Sequence, residues 1–434
     1  MFRKRISGIM VLIVGIMFVG VIAIGFTACD DLSHDDNSDN TDAEYGWYGN
    51  GSASNFNISN FAQLEELAKI VQGYAGLDGP KNFTGKTVTL TANIDMSGKS
   101  YNGIGDPYYS GYPFNGTFDG SNKTISGLNM GNRGFFGLIG ENGVVKNLNF
   151  VDLNIDGRDG GGGVTRTNRG KIQNITITNG YVNGTPGGVV YDNYGIVENC
   201  NFSGDISGSH AGGIANWNMN SGIIRNCYVT GSITGSLETG GIVGNNSGTI
   251  ENCYTTCNIN GDSSGNRGGI AGINSGTVKN CYATGNITGD MGIGGVVGNN
   301  YGGTIQNCYA TGTVTGWRSV GGITGGSGTV QNCVALNPSI TASDEFMYAG
   351  IRRIGYKGSS DNFSNNYGLK GMKLIFTLNN QDVEDVTSDA DGIHGADVEA
   401  SEYNTQSWWA NTVNWDFSTV WQWDSARNLP KLRM

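Results

Sequence analysis

The chain has 434 residues, of which 73 are glycine and only six are proline. Collagen is excluded because its glycine recurs at every third position, and a helical bundle is disfavoured because glycine weakens helix interiors. A net charge of −11 disfavours nucleic acid and bare anionic lipid as partners.

The first 28 residues have the pattern of an export signal. Basic residues 3–5 precede an uncharged apolar run over residues 6–26, and the segment ends in the letters FTAC. These four residues resemble the lipobox of bacterial lipoproteins, in which the cysteine is acylated after cleavage, so Cys29 is the predicted lipidation site. A single membrane-spanning anchor is the alternative, because the run is long enough to cross a bilayer. Both interpretations predict an exported, membrane-anchored chain at the cell surface or facing the periplasm.

An acidic stretch without apolar periodicity follows the cysteine. Residues 30–44, DDLSHDDNSDNTDAE, are rich in acids and contain few apolar residues. Such a composition predicts disorder, because it cannot bury enough apolar surface to offset the entropy of ordering the chain. We assign residues 29–54 to an acidic disordered tether.

A short helix is predicted next, within an amino-terminal capping region at residues 55–79. Asn60 and Gln63 have the spacing of a capping box, which satisfies backbone donors at the start of a helix. The apolar residues that would share one face of this helix are Phe61, Leu64, Leu67 and Val71. We expect this face to cover one open end of the domain that follows.

Beyond residue 145 a unit of 25–28 residues recurs, in which an aliphatic residue, a polar residue and an asparagine are usually followed by cysteine. The first two asparagines are Asn147 and Asn174. Such a period is typical of a solenoid, whose units bury their apolar faces against their neighbours. One unit has room for three short strands and three turns but not for a helix. We therefore predict an all-β fold, a single-stranded parallel β-helix (β-solenoid) of roughly eleven coils over residues 80–370.

Side-chain parity predicts which residues of each unit point inward. Alternation along a strand places each cysteine inside, the tyrosine that often follows it outside, and the next small residue inside. Aliphatic residues before the asparagine should also point inward, so a bend at the asparagine must change the parity. Asparagine suits this bend because it tolerates left-handed backbone geometry. The asparagines and cysteines of this structural ladder are Asn199, Asn226, Asn252, Asn280, Asn307, Asn332, Cys200, Cys227, Cys253, Cys281, Cys308 and Cys333.

The stacked cysteines are predicted to be buried thiols that act as small hydrophobic residues. Neighbours in adjacent coils would have Cβ atoms about 4.8 Å apart, beyond the range of about 3.5–4.5 Å that is usual for disulfides. Metal binding by this row is disfavoured, because four tetrahedral ligands rarely come from one straight line.

Five tryptophans crowd the last 27 residues, within a predicted carboxyl-terminal capping region at residues 371–434: Trp408, Trp409, Trp415, Trp421 and Trp423. We predict that they form a hydrophobic plug over the second open end of the solenoid, since exposed solenoid ends need a cover. A carbohydrate-binding module is the alternative.

Three segments together resemble the GLUG-motif repeats of bacterial surface proteins: GGIVGNNSGTIENC at 240–253, ISNFAQLEELAKIV at 58–71 and FNGTFDGSNKTISGL at 114–128. The resemblance covers roughly residues 55–370 and implies a right-handed parallel β-helix exposed outside the cell. Some proteins with these repeats are immunoglobulin-cleaving metallopeptidases, but this chain has no HExxH metal motif, so the resemblance carries no activity over to it.

Few residues could carry chemistry. The histidines, His34, His210 and His394, cannot be paired with a nucleophile by motif. The acids of the coils are scattered, whereas β-helices that cut polysaccharides need clustered carboxylates or a basic residue over a groove. We predict no catalytic residue, no metal site and no cofactor.

The candidate ligand-binding residues are aromatic: Tyr228, Tyr254, Tyr282, Tyr309, Trp217 and Trp317. The four tyrosines would form a flat outward strip with rings about 4.8 Å apart, suited to an extended glycan or a partner strand. They could also serve only to stabilise the sheet. We predict a non-enzymatic binding, adhesion or structural scaffold whose partner is a glycan or a surface protein of a host or neighbouring cell. The alternatives are a polysaccharide-active lyase or glycoside hydrolase and an accessory subunit.

Overall fold

Parallel strands stacked coil on coil dominate the structure. The computed structural model describes residues 46–49, 51–74, 79–106, 111–261, 264–343, 350–377, 381–382 and 386–434. These residues form an all-β parallel solenoid of about eleven coils, which confirms the predicted fold class. The signal segment, Cys29 and residues 30–44 of the tether lie outside the described residues.

Each coil contributes strands to successive sides of the solenoid. The strands of the first side pair with one another in register, and from Val144–Val151 onward they contain or directly precede the ladder asparagine. They are Asn55–Ile58, Thr87–Leu90, Thr117–Ser126, Val144–Val151, Lys171–Gly187, Ile196–Glu198, Ile223–Arg225, Thr249–Glu251, Thr277–Lys279, Thr304–Gln306, Thr329–Gln331 and Phe363–Ser364. Strands that follow the bend are Ile94–Asp95, Asn129–Met130, Asn154–Gly162, Asn201–Gly208, Tyr228–Gly235, Tyr254–Thr255, Asn258–Asn260, Tyr282–Ala283, Ile287–Thr288, Tyr309–Ala310, Val314–Gly316, Val334–Ala335, Ser339–Ala342, Tyr367–Leu369, Lys373–Phe376 and Ala396–Val398.

The remaining strands complete the coils. Short strands at the next corner are Ala211–Gly212, Thr239–Gly240, Arg267–Gly268, Met291–Gly294, Arg318–Gly321 and Ile351–Arg352. A separate parallel sheet contains Phe136–Ile139, Thr165–Asn168, Val190–Asn193, Ala215–Asn218, Val243–Asn246, Ala271–Asn274 and Val297–Asn300. We call this sheet the second sheet. Antiparallel pairing occurs between Lys373–Phe376 and Gln381–Asp382, and between Trp421–Asp424 and Leu429–Leu432.

The core consists of inward rows in which the same position recurs in every coil. One unbroken row in register is Phe56, Val88, Phe118, Val145, Ile172, Val197, Ile224, Ile250, Val278, Ile305, Val330 and Phe363. Two further aliphatic rows, which start at Ile206 and at Ile214, are also buried. Large apolar side chains that leave water at every rung are the main stabilising contribution to such a fold.

An asparagine ladder follows the bend of each coil, as predicted. From Asn147 to Asn365 the ladder residues have φ of 52–55°, so the bend uses the left-handed conformation. Each side-chain Nδ2 donates to Oδ1 of the asparagine one coil nearer the amino terminus, at 2.8–3.3 Å. The bend therefore has its own hydrogen-bonded row, which fixes the register of the coils.

A second asparagine ladder, which parity alone did not predict, lies inside the second sheet. Its members are Asn168, Asn193, Asn218, Asn246, Asn274 and Asn300, and their side chains are 0–1% exposed. Each Nδ2 donates to Oδ1 of the asparagine one coil nearer the carboxyl terminus, at 2.7–2.8 Å. Burial of these amides is tolerated because each one finds partners in adjacent coils.

The six ladder cysteines and Cys257 are free and buried, which confirms the inward assignment. Each ladder Sγ donates to the carbonyl oxygen two residues earlier, at 3.1–3.2 Å. Burial raises the pKa of Cys281 and Cys308 well above the ordinary value and that of Cys257 to about 11. Cys257, Cys281 and Cys308 are therefore protonated at neutral pH.

The helix α1, Phe61–Gln72, lies in the chain between the first two paired strands, Asn55–Ile58 and Thr87–Leu90. Asn60 Oδ1 accepts a hydrogen bond from Gln63 N at 3.1 Å, while Gln63 Oε1 accepts from Ser59 N rather than from Asn60 N. The residues Leu64, Leu67, Ile70 and Val71 are buried in the solenoid core. The predicted helix is therefore present, with the reciprocal capping bond displaced by one residue.

The predicted tether boundary at residue 54 is wrong. Trp47 and Tyr48 pack on Phe56, with ring centroids 5.3 Å apart in both pairs. The Lys86 ammonium donates to the carbonyl oxygens of Gly51 and Ala53. Aromatic packing thus brings the end of the predicted tether into the fold.

The strand ladder also extends past both predicted solenoid boundaries. Asn55–Ile58 pairs with Thr87–Leu90, so the solenoid begins before residue 80. Ala396–Val398 pairs with Tyr367–Leu369, so it continues beyond residue 370. The repeat is less regular at these ends, so the sequence pattern does not distinguish the outermost strands from caps.

Thiol reactivity tests the inward cysteine row. In native protein, the cysteines from Cys200 to Cys333 should react with Ellman's reagent far more slowly than in protein unfolded by guanidinium, because burial keeps the reagent away from their sulfur atoms. Rapid labelling of the whole row in native protein, with unchanged circular dichroism, would contradict the burial.

Replacement of Asn218 by alanine tests the buried ladder. Asn218 accepts from Asn193 and donates to Asn246, so the substitution leaves buried polar atoms without partners. We expect a loss of about 2 kcal/mol in the free energy of unfolding, measured by urea denaturation. The matched control is Asn245→Ala, at a half-buried outward neighbour, which should change stability by less than about 0.5 kcal/mol. Equal effects would contradict a special role for the ladder.

Candidate functional site

The predicted tyrosine strip forms, and its rings are stacked. The ring centroids are 5.1 Å apart between Tyr228 and Tyr254, 4.8 Å between Tyr254 and Tyr282, and 5.0 Å between Tyr282 and Tyr309. The interplanar angles of these three pairs are 9°, 3° and 9°. The tyrosines lie on adjacent rungs in register, outside the main core. The outward direction that parity predicted is therefore correct.

Half of this strip is covered, so the prediction of a continuous exposed face is wrong. Tyr282 is 3% and Tyr309 2% exposed. The last segment of the chain folds back over both rings, and the Tyr309 hydroxyl donates to Pro430 O at 2.8 Å. Burial accordingly raises the pKa of both phenols. These two tyrosines stabilise the structure and present no free face to a ligand.

The cover consists of the carboxyl-terminal tryptophans. Helices α2 (Ala400–Tyr403) and α3 (Gln406–Asn411) lead into the hairpin of Trp421–Asp424 and Leu429–Leu432. Trp409, Trp415 and Trp421 lie 5.6–6.3 Å from Tyr309, measured between ring centroids. We call this segment, residues 399–434, the tryptophan cover.

The predicted plug is therefore misplaced, because the tryptophans pack on the outer side of the solenoid and not on its open end. Trp415 Nε1 donates to Asn332 O at 2.9 Å, which joins the cover to the outer asparagine ladder. Trp409 and Trp421 are completely buried. This burial also removes the basis for an exposed carbohydrate-binding surface on those two side chains.

The other aromatic candidates keep partly exposed surfaces. Tyr228 and Tyr254 are half-buried at the uncovered end of the strip. Trp317 is half-buried at a turn, where the Arg318 guanidinium lies 4.8 Å from its ring. Trp217 is half-buried on the second sheet, at a place where several polar groups converge.

The surroundings of Trp217 depart from the repeat. On the second sheet, Gly244, Gly272 and Gly298 occupy the position after the first residue of their strands. Three successive earlier coils replace this glycine and its neighbour by the pairs Arg166-Thr167, Tyr191-Asp192 and Asn216-Trp217, which lie in register. We call this surface, together with His210 and Glu238, the three-coil patch. Departure in three adjacent coils concentrates unusual side chains on one surface of an otherwise regular scaffold.

A hydrogen-bonded histidine and glutamate and an aromatic ring form one half of the three-coil patch. His210 Nε2 lies 2.8 Å from Glu238 Oε2, and the hydrogen bond from His210 lowers the pKa of Glu238. The imidazole centroid is 6.1 Å from the ring of Trp217. Asn216 Nδ2 donates to His210 O at 3.1 Å, which fixes the loop that carries the histidine. The arrangement holds a carboxylate beside an aromatic platform.

A cation and a second acid form the other half. The Arg166 guanidinium lies 4.8 Å from the Tyr191 ring and donates to Gly160 O at 2.8 Å. Asp192 follows Tyr191 and is in register with Trp217 one coil further on. Burial raises the pKa of Asp192 to about 6, although the charge of Arg166 opposes this shift. The patch thus combines aromatic faces with acids of different proton affinity.

Most residues of this patch were not predicted as site residues, although Trp217 was. Their signal was present in the sequence as the loss of the repeat glycine in three consecutive units, TRTN, VYDN and ANWN, where later units have VGNN or AGIN. His210 and Glu238 occupy equivalent positions of adjacent units, directly before Ala211 and Thr239, which pair in register.

Metal and membrane features can be stated for the described part of the chain. It brings together no group of three or more His, Cys, Asp or Glu side chains that could hold a metal ion. None of the helices within it has the length and apolar character needed to cross a membrane.

Comparison with known proteins identifies the repeats. Residues 263–288 and 289–315 match the GLUG motif, so this chain carries GLUG motif repeats. Halomucin of Haloquadratum walsbyi is 34% identical over 167 residues, 35% of this chain and 2% of the relative. A proposed Gly-rich membrane protein of Evansella cellulosilytica is 30% identical over 129 residues, 26% of this chain and 15% of the relative. The chain thus spans a small part of both curated relatives.

Two solved structures are similar over most of this chain. One is a proposed immunoglobulin A1 protease from Bacteroides ovatus, with 19% identity and a TM-score of 0.40 over 87% of this chain and 92% of that chain. The other is an IgA1 protease, with 15% identity and a TM-score of 0.41 over 79% of this chain and 23% of that chain.

The pKa of Asp192 predicts a pH-dependent stability difference. Its folded value of about 6 exceeds the ordinary 3.8, so its contribution to stability is complete below pH 4 and is lost as pH rises through 6. The Asp192→Asn variant does not lose stability in this way, because asparagine does not ionise. The melting temperature of the variant minus that of the wild type should therefore increase from pH 4 to pH 7. Asp205→Asn, at an exposed acid, is the control, and a difference that stays constant or decreases for Asp192→Asn would contradict the burial.

Proposed function

We propose that this chain is a non-enzymatic, surface-exposed binding scaffold that presents the three-coil patch to a glycan. The observation that carries the proposal is the replacement of the repeat glycine in three adjacent coils by larger side chains, with Asp192 in register with Trp217 and His210 beside the Trp217 ring. Regular coils would provide length and rigidity, while the departure from regularity would provide specificity.

The chemistry of the patch suits a sugar ring. An aromatic face offers an apolar platform, and the carboxyl groups, the histidine and the Thr167 hydroxyl group beside it can accept hydrogen bonds from and donate them to hydroxyl groups. Asp192 and Glu238 lie on different coils, so an extended glycan could contact both while it lies along the solenoid axis. A surface protein of a neighbouring or host cell is the other partner class for this patch.

The location at the cell surface belongs to the same proposal. Acylation of Cys29 and a tether at the amino terminus would display the solenoid away from a membrane. The two curated relatives, Halomucin and a proposed Gly-rich membrane protein, support this location by their names.

A second function, cleavage of a polysaccharide, is favoured by one observation. Two carboxyl groups of the patch have opposite pKa shifts, upward for Asp192 and downward for Glu238. Such a pair can supply a general acid and a general base. Release of reducing sugar that disappears in both Asp192→Asn and Glu238→Gln would establish this function in place of pure binding.

Binding of the full-length protein, solubilised in detergent, to a glycan array and to extracellular-matrix proteins tests the proposal. Trp217→Ala should weaken glycan binding at least tenfold, since central aromatic anchors contribute about 2 kcal/mol or more. The matched control is Trp317→Ala, at a half-buried tryptophan on another turn, which should bind normally.

Three results would separate the alternatives. Equal loss in the Trp217 and Trp317 variants would contradict a site at the three-coil patch, and loss in Tyr228→Ser alone would place the site on the exposed end of the tyrosine strip. Binding to matrix protein but to no glycan would overturn the glycan proposal and favour the protein partner.

A further inference from the structure

A cavity beside helix α1 forms a second polar site, separate from the three-coil patch. It has a volume of about 290 Å³, near the lower end of the range for small-molecule pockets. Its lining residues come from the last two turns of the helix, from Tyr74 just after the helix and from the loop at residues 100–102. We infer that this cavity binds a small hydroxylated ligand of the size and chemistry of one or two sugar rings.

The walls of the cavity are held in place by the fold. Gln72 is 5% exposed, and its Nε2 donates to Gly103 O at 2.8 Å, which ties the end of the helix to the opposite loop. The Tyr101 ring stacks on Phe135, with centroids 5.5 Å apart, and meets the edge of Phe61 at 6.4 Å. The site is therefore built on rigid elements before any ligand binds, which reduces the entropy cost of binding.

An aromatic side chain lies open to solvent at the mouth of the cavity. Tyr74 is 74% exposed, directly after the glycine that ends the helix. An exposed tyrosine ring offers an apolar face for the C–H bonds of a sugar and a hydroxyl group for its polar edge. The position of Tyr74 at a cavity distinguishes it from an isolated surface tyrosine.

Polar groups of both kinds line the same cavity. Lys69 and Glu65 form an ion pair at 3.4 Å, and Ser100 and Asn102 are exposed on the facing loop. They supply an ammonium donor, a carboxylate acceptor, a hydroxyl and an amide. This mixture suits vicinal hydroxyl groups, whereas the pairing of Lys69 with Glu65 leaves little net charge for a phosphate or a carboxylate ligand.

A buried polar atom supplies an independent sign of a missing partner. Tyr101 is 8% exposed, and its hydroxyl group has no hydrogen-bond partner within the described structure. Burial of an unpaired hydroxyl is unfavourable, and such groups are uncommon in folded proteins. Other atoms of Tyr101 line the cavity, so a small rotation of this side chain on ligand entry would bring its hydroxyl group into contact with a ligand hydroxyl and provide the absent bond.

Saturation-transfer NMR on the full-length protein tests this inference, with glucose, galactose and N-acetylglucosamine as probes at millimolar concentration. At least one sugar should show saturable transfer, and Tyr74→Ala should raise its dissociation constant at least tenfold. The matched control is Tyr301→Ala, because Tyr301 is 75% exposed elsewhere on the solenoid. It should leave the dissociation constant unchanged.

Tyr101→Phe separates ligand contact from a structural role. Removal of an unpaired buried hydroxyl should leave the melting temperature equal or higher, while sugar affinity should fall at least threefold if the ligand bonds to this group. A melting temperature that is retained with unchanged affinity would overturn the role of Tyr101. Transfer from none of the three sugars, or equal weakening by Tyr74→Ala and Tyr301→Ala, would overturn the site itself.

This site stands apart from the proposed glycan binding at the three-coil patch. Trp217→Ala should leave the NMR signal of the bound sugar unchanged, and Tyr74→Ala should leave the glycan-array signal unchanged. Loss of both signals in Trp217→Ala would contradict two separate sites.

Discussion

Register between neighbouring coils is the constraint on which the rest of the structure depends. Parallel backbone hydrogen bonds place the same position of successive coils in a row, about 4.8 Å apart, over almost the whole described chain. Each residue must therefore pack against, or form hydrogen bonds with, the equivalent residues of the coils above and below it. Apolar residues form continuous inner rows, asparagines bond to asparagines, and tyrosines stack on tyrosines. Acids meet bases for the same reason, as at Glu198 and Arg225.

The repeat made most of this predictable. The spacing of the repeat predicted the solenoid. The alternation of side chains along a strand, which is a local property of the sequence, predicted the inward cysteines and the outward tyrosines. The buried asparagine ladder was missed because an asparagine is usually expected on the surface, and its burial is acceptable only when its copies in adjacent coils supply hydrogen bonds. The signal for Asn246 and Asn300 is the repeated sequence GNN, in which the first asparagine points outward and the second points inward.

The candidate sites were less predictable because they depend on contacts between distant segments. Nothing near Tyr309 in the sequence indicates that Trp421, more than a hundred residues later, will cover it. His210 and Glu238 likewise meet only through stacking of coils. Irregular units proved more informative about a site than regular ones, since a solenoid needs only its consensus residues to fold, and a costly departure from consensus requires another explanation.

The two asparagine ladders run in opposite senses. Outer amides donate toward the amino-terminal end, as Asn226 does to Asn199, and inner amides donate toward the carboxyl-terminal end, as Asn218 does to Asn246. Each row is a line of aligned amide dipoles whose polarisation reinforces itself along the axis. Because the two lines are antiparallel, their fields oppose each other, so coils can be added without building up opposite partial charges at the two ends. The two rows of side-chain amides therefore add little net dipole along the axis as coils are added.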